Sequence, residues 1–164
     1  MDSPPPVLIS HGRASRYDTV AEEIEAIVAG ETNRVARMAT VTSMLAHAFD
    51  HFFWTGFYVI DPLKPDELVV GPYQGTLGCL RIAIGRGVCG AAAARRATVI
   101  VDDVHAFPDH IACDARSLSE IVVPVFDAEE CLIGVFDVDS TQPAAFDSLD
   151  AERLEAIMRQ VFTT

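Results

Sequence analysis

Basic residues are scarce in this chain. Twelve Lys and Arg stand against twenty-four Asp and Glu, a formal net charge of −12 over 164 residues. A nucleic acid or an anionic membrane needs a concentrated basic face, so neither is expected as the main partner. Any apolar run approaching the ~20 residues that span a bilayer is also missing. The start, Met1-Asp2-Ser3-Pro4-Pro5-Pro6, lacks the basic opening and apolar stretch of a secretory leader. Four cysteines are too few for a disulfide scaffold in a chain of this size. These absences point to a cytoplasmic protein, in which a cysteine is a packed small hydrophobe, a metal ligand or a reactive thiol. Half of the residues are apolar, which excludes disorder for the chain as a whole. The length suits a flexible Pro-containing tail over residues 1–15 and a single domain over residues 16–164.

Thr19-Val20-Ala21-Glu22 has the form of a capping box, and Val20, Ile24, Ile27 and Val28 follow at helical spacing up to Gly30. A second helix is expected from about Thr32, with Met38, Leu45 and Phe49 on its apolar stripe. The pattern then changes to β. Residues 54–60 are aromatic and β-branched and end at Asp61-Pro62, residues 67–73 read as a hairpin partner, and residues 80–84 as a third strand. An Ala-rich helix over residues 88–95 precedes a strand at 98–101. Residues 102–119 have neither period, yet they are too apolar for a solvated linker, and loops this long are usually functional. Two strong strands, 120–125 and 132–139, and a final helix capped by Asp147 complete the chain. Hairpin-length connections and helices at both ends predict an α+β fold. Its central sheet is mainly antiparallel, with the N- and C-terminal helices packed on one face. The pattern of those helices is also compatible with a homodimer.

Three carboxylates stand out. Strand alternation puts Asp137 and Asp139 on one face of a strand whose other residues are apolar, so the strand should be central. Glu120 begins the preceding strand. If the two pair antiparallel, three acids converge, where they can bind a cation, hold an ammonium group or keep one member protonated. Among the cysteines, Cys79 follows Gly75-Thr76-Leu77-Gly78, and Cys89 opens the Ala-rich helix, where the helix dipole would favour a thiolate. Cys113 lies in the long loop, and Cys131 resembles a packing cysteine. Taken singly, each is most simply a small buried hydrophobe. His105, His110 and Cys113 offer zinc ligands, but their spacing matches no common zinc pattern. Gly85-x-Gly87-x-x-Gly90 fits a dinucleotide loop in form only, without the βαβ unit that such a loop needs.

In order along the chain come Trp54-Thr55-Gly56-Phe57-Tyr58, Gly71-Pro72-Tyr73-Gln74-Gly75, Gly85-Arg86-Gly87-Val88-Cys89-Gly90, Asp103-Val104-His105-Ala106-Phe107, His110-Ile111-Ala112-Cys113-Asp114, Ser119-Glu120-Ile121-Val122 and Gly134-Val135-Phe136-Asp137-Val138-Asp139-Ser140. Together they closely resemble the free methionine-(R)-sulfoxide reductases, enzymes of the GAF fold. The resemblance implies a GAF-like domain that reduces free methionine-(R)-sulfoxide through a cysteine sulfenic acid and an intramolecular disulfide, recycled by thioredoxin. It needs no metal and no organic cofactor. It makes Cys113 the catalytic nucleophile, Cys79 the resolving thiol and Cys89 a third catalytic cysteine. Trp54, Tyr58, Glu120, Asp137 and Asp139 become the substrate pocket. Alternation independently places Trp54, Gly56 and Tyr58 on one face, with Gly56 leaving a gap between the rings. The rival reading is a non-catalytic GAF module that senses a small molecule with the same pocket.

Overall fold

A computed structural model of the protein describes residue 7, residues 10–111 and residues 113–164. Two helices open the chain, α1 at Ser10–Val28 and α2 at Arg34–Ala48. Strand β1 at Trp54–Asp61 turns into β2 at Lys64–Gln74, and β3 at Arg81–Ala83 follows. Next come α3 at Gly87–Arg95 and β4 at Val99–Val101. The long connection holds one 3-10 turn at Val104–Ala106 and leads into β5 at Ser119–Phe126. Strand β6 at Leu132–Ser140 and α4 at Ser148–Phe162 finish the fold.

The strands form one six-stranded sheet in the order β3-β2-β1-β6-β5-β4, and every pairing is antiparallel. β6 is central, as its two apolar faces require. One face carries α1, α2 and α4 around Phe57, Phe136, Ile121 and Val138, all fully buried. Burying rings and branched chains of this size contributes roughly 1.5–3 kcal/mol each. The opposite face carries α3, whose Val88, Cys89, Ala92 and Ala93 pack on Val122 and Val135. α3 can lie close because Gly90 has no Cβ. An added one would stand 2.5 Å from the Ala83 carbonyl.

The N-terminus departs from expectation. Residues 10–15, assigned above to the tail, are already helix, so α1 begins well before Thr19. Thr19 caps nothing. Its hydroxyl donates to the Ser15 carbonyl one turn back. The cause lies far along the chain. Arg13 donates to Asp147 at 2.8 Å and to Asp150 at 2.6 Å, and Tyr17 donates to Asp150 at 2.7 Å. Asp147 and Asp150 are the two halves of the capping box of α4, so α1 is anchored to the start of the last helix. Of the remainder of the expected tail, Val7 is described and packs against the core of the helical face, and the other residues lie outside the described ones. Among the described residues, no helix is long and apolar enough to cross a membrane.

Candidate active site

The site stands on the α3 face of the sheet, at the end where β5 begins and β6 ends. Register does the positioning. Glu120 pairs with Asp139 across β5 and β6, and Asp139 pairs with Trp54 across β6 and β1. One row on, Val122, Asp137 and Gly56 are aligned. Antiparallel partners project to the same face, so the three acids converge as the strand pairing required. Glu120 is 6% exposed and Asp137 4%. Among the described residues, no Lys or Arg pairs with them. Burial, then the charge of Asp139, pushes the Glu120 carboxyl well above the usual carboxylate range. Burial and Glu120 do the same to Asp137, and burial and Asp137 to Asp139. Asp137 Oδ1 is buried with no hydrogen-bond partner. Such a cluster holds protons near neutral pH and offers them, or its charge, to a ligand.

Trp54, Tyr58 and Tyr73 form an aromatic wall beside the acids. Trp54 stacks on Tyr58 with centroids 5.5 Å apart and on Tyr73 at 5.0 Å. The gap expected at Gly56 is not left open for a ligand. A Cβ there would overlap Tyr73 of β2, so glycine serves the close approach of that strand. Gly78 likewise lets the Cys79 loop lie on the rings, since its Cβ would fall 2.9 Å from Trp54 and 3.2 Å from the Tyr58 hydroxyl. Burial, then Asp137, raises the Tyr58 phenol, which stays protonated and able to donate.

Cys79 and Cys113 are joined by a disulfide across 34 residues of sequence, with Cα atoms 5.8 Å apart. The Cys79 loop is tied in two further places, to β1 and to the Cys113 loop. Trp54 Nε1 donates to the Thr76 carbonyl at 2.9 Å, and the Thr76 hydroxyl donates to Asp114 at 2.8 Å. Arg116 holds Asp114 from the other side at 2.8 Å while its guanidinium lies over the Phe53 ring. Cys89 remains a free, buried thiol. Its position at the start of α3 does not make it a thiolate. Burial, and then Asp137 and Glu120, push its pKa well above the ordinary value. Cys131, expected to pack, is exposed instead. Asp127 Oδ1 accepts from the Glu129 and Cys131 amides and fixes a turn that leaves the thiol outside.

Of the eight expected site residues, all but Cys79 line one cavity of about 40 Å³. Cys79 reaches it through its bond to Cys113. The cavity adds residues that the sequence reading did not assign. His110 comes from the long loop, and its Nε2 stands 3.7 Å from Glu120 Oε1. Burial lowers its pKa, so it is neutral near pH 7. Ile111 rests on Gly87 and covers the start of α3. Both lie in a segment whose apolar and histidine content was the available signal. Tyr73 carried no signal, because its place on the wall depends on the pairing of β2 with β1. The zinc set is not assembled. Cys113 is bonded to Cys79, and His105 is exposed on the 3-10 turn.

Comparison with known proteins places this geometry. The GAF domain family model matches residues 13–163. A free methionine-R-sulfoxide reductase from Escherichia coli is 41% identical over 88% of this chain and 86% of its own. A solved structure of the Neisseria meningitidis free methionine-R-sulfoxide reductase, in complex with its substrate, superposes with a TM-score of 0.87 at 45% identity. That match covers 98% of this chain and 93% of the other. A Burkholderia vietnamiensis protein provisionally described as a GAF sensor is 49% identical, with a TM-score of 0.85, over 91% of this chain and 92% of its own.

Proposed function

The chain belongs to the free methionine-(R)-sulfoxide reductases of the GAF family, and from that membership we propose that it reduces free L-methionine-(R)-sulfoxide with Cys113 as nucleophile and Cys79 as resolving thiol. The observation that carries this reading is the Cys79–Cys113 disulfide beside a cavity lined by the carboxyls of Glu120, Asp137 and Asp139, with which no Lys or Arg pairs among the described residues. A pure sensor has no use for a bond that must be broken and remade. The disulfide-linked form is the state that one turnover would leave behind.

The steps follow from residue chemistry. The substrate's α-ammonium group meets Glu120, Asp137 and Asp139 and replaces the missing counter-charge. A member of the trio that keeps its proton donates to the sulfoxide oxygen and makes the sulfur electrophilic. Trp54 and Tyr58 hold the methyl-sulfur end by contact with their ring faces. The Cys113 thiolate attacks sulfur, the sulfur–oxygen bond of the substrate breaks, and the oxygen leaves with the enzyme as a Cys113 sulfenic acid while free methionine departs. The Cys79 thiol then attacks the Cys113 sulfur, water is lost and the disulfide forms. An external dithiol, thioredoxin in this proposal, takes up the disulfide by exchange and resets both thiols. That cycle requires a reducing compartment, which assigns the protein to the cytoplasm.

The same pocket explains selection of the free amino acid. A methionine sulfoxide embedded in a peptide has no α-ammonium group, and burying several carboxyls against it without that cation is unfavourable. The test is a thiol count on the reduced protein before and after one addition of free methionine-(R)-sulfoxide, with methionine measured in parallel. The expected result is two thiols lost per methionine formed. Binding with no loss of thiols would make the protein a sensor and overturn the proposal.

A further inference from the structure

Cys89 has no part in the two-thiol cycle, yet it is built into the acidic floor. Its Sγ, one carboxylate oxygen of Glu120 and one of Asp137 lie within 4.8 Å of one another, and all three residues are buried. An ammonium group accounts for the carboxylates and gains little from the sulfur, which is a weak hydrogen-bond acceptor and lies within hydrogen-bonding reach of Asp137. Asp137 Oδ1, buried and without a hydrogen-bond partner, belongs to a residue that lines the same cavity. A soft divalent cation uses all of these atoms together.

We propose that Cys89, Glu120 and Asp137 form a binding site for a thiophilic divalent cation of the zinc class, held in the disulfide form of the protein. The donor set of one sulfur and two carboxylate oxygens is one that zinc accepts, with bonds of about 2.0–2.3 Å. A tetrahedral ion with such bonds spaces its donors by roughly 3.3–3.8 Å, so a triangle whose edges are no longer than 4.8 Å contracts by at most about 1–1.5 Å on loading. Side-chain rotation of Glu120 supplies that movement. The fourth position falls to water, for which the cavity of about 40 Å³ has room. The ion brings the positive charge that lets a buried thiol ionise, and it removes the repulsion among the acids. The site differs from the His105, His110 and Cys113 set, and its ligands come from α3, β5 and β6. Binding of the cation stands independently of the catalytic reading. Only its consequence, exclusion of the substrate's ammonium group, rests on that reading.

The experiment uses cobalt(II) on the full chain carrying Cys131→Ser, with the Cys79–Cys113 disulfide formed, so that Cys89 is the sole free thiol. A sulfur-to-cobalt charge-transfer band saturating at one equivalent is expected. It should vanish in Cys89→Ser and need at least ~10-fold more metal in Glu120→Gln, which keeps the thiol and loses one charged ligand. Equilibrium dialysis of zinc should follow the same order. Absence of the band in the parent, or its survival in Cys89→Ser, overturns the site. Because no sulfoxide is present, either result is separable from the thiol count that tests the reductase.

Discussion

Replacing Glu120 with Gln should move stability and activity in opposite directions. The amide keeps the shape of the side chain and removes one charge from the buried floor. Ligand oxygens of Glu120 and Asp137 lie within 4.8 Å, and two full charges at that separation repel by about 3 kcal/mol at an effective dielectric of about 20. The folded protein escapes this by retaining protons, which is why all three carboxyls stand well above their usual range. The unfolded chain has no such need. A group whose pKa is raised by folding stabilises fully below the unfolded value and loses that contribution as pH rises through the folded one. The parent should therefore weaken from mildly acid to alkaline pH, and Glu120→Gln should relieve part of the loss. The expected gain is ~1–3 kcal/mol at about pH 8, or roughly 2–10 °C in Tm, shrinking toward nothing near pH 4. In the same variant kcat/KM for free methionine-(R)-sulfoxide should fall by roughly 30- to 1,000-fold, the equivalent of ~2–4 kcal/mol of lost ammonium and oxygen contacts. The N-acetylated sulfoxide, which has no cation, should be a poor substrate for the parent and little affected by the substitution. Thermal unfolding at the two pH values and steady-state methionine production with a dithiol reductant measure both arms. A variant that is less stable at alkaline pH, or that keeps near-parental kcat/KM, would refute the account of the floor.

Cys113→Ser should abolish turnover while still binding the amino acid, because a hydroxyl near neutral pH is a far poorer nucleophile than a thiolate; residual reduction at a normal rate moves the nucleophile elsewhere. Cys79→Ser should give one stoichiometric turnover and no thioredoxin-driven recycling, and full recycling would transfer the resolving role to Cys89. Methionine should bind the reduced protein more tightly than the disulfide form, since about 40 Å³ holds a few waters rather than an amino acid; calorimetry on the two forms decides it. His51 is buried and its pKa is lowered to about 4, chiefly by burial. Stability should therefore drop by about 3 kcal/mol as pH falls from 6.5 to about 4, and His51→Gln should flatten that slope in denaturant titrations.

Most of the sheet could be read from the chain because its signals are local. Alternation in β6 gave both the shared face of Asp137 and Asp139 and the central position of the strand, since only a central strand is apolar on both sides. The convergence of Glu120 needed one further assumption, the hairpin pairing of β5 with β6, and the register supports it. Reading failed where the determining partner is remote or where backbone geometry decides. Arg13 gave no sign that it would meet Asp150, 137 residues away, so the start of α1 looked unstructured. Cys131 had the neighbours of a strand residue, but the Asp127 turn, closed by Glu130 at φ +62°, places it outside. Cys89 sat where a helix dipole lowers a thiol pKa, and burial beside two acids outweighs that dipole.

The site is divided between strands and loops, and on the proposed mechanism that division would couple redox state to pocket size. The acids and Trp54 stand on three adjacent strands, where register holds them within a fixed row. Cys79 and Cys113 stand on two loops outside the strands. When Cys79 and Cys113 are bonded, Gly78 is pressed on the aromatic wall and Ile111 on Gly87, and the cavity is small. On the proposed mechanism, the bond left by a completed turnover is also the bond present when the cavity is small. In that proposal reduction restores the nucleophile and removes one tie between the two loops, leaving the Thr76–Asp114 hydrogen bond. On that proposal, the disulfide form would not hold fresh substrate that it cannot reduce.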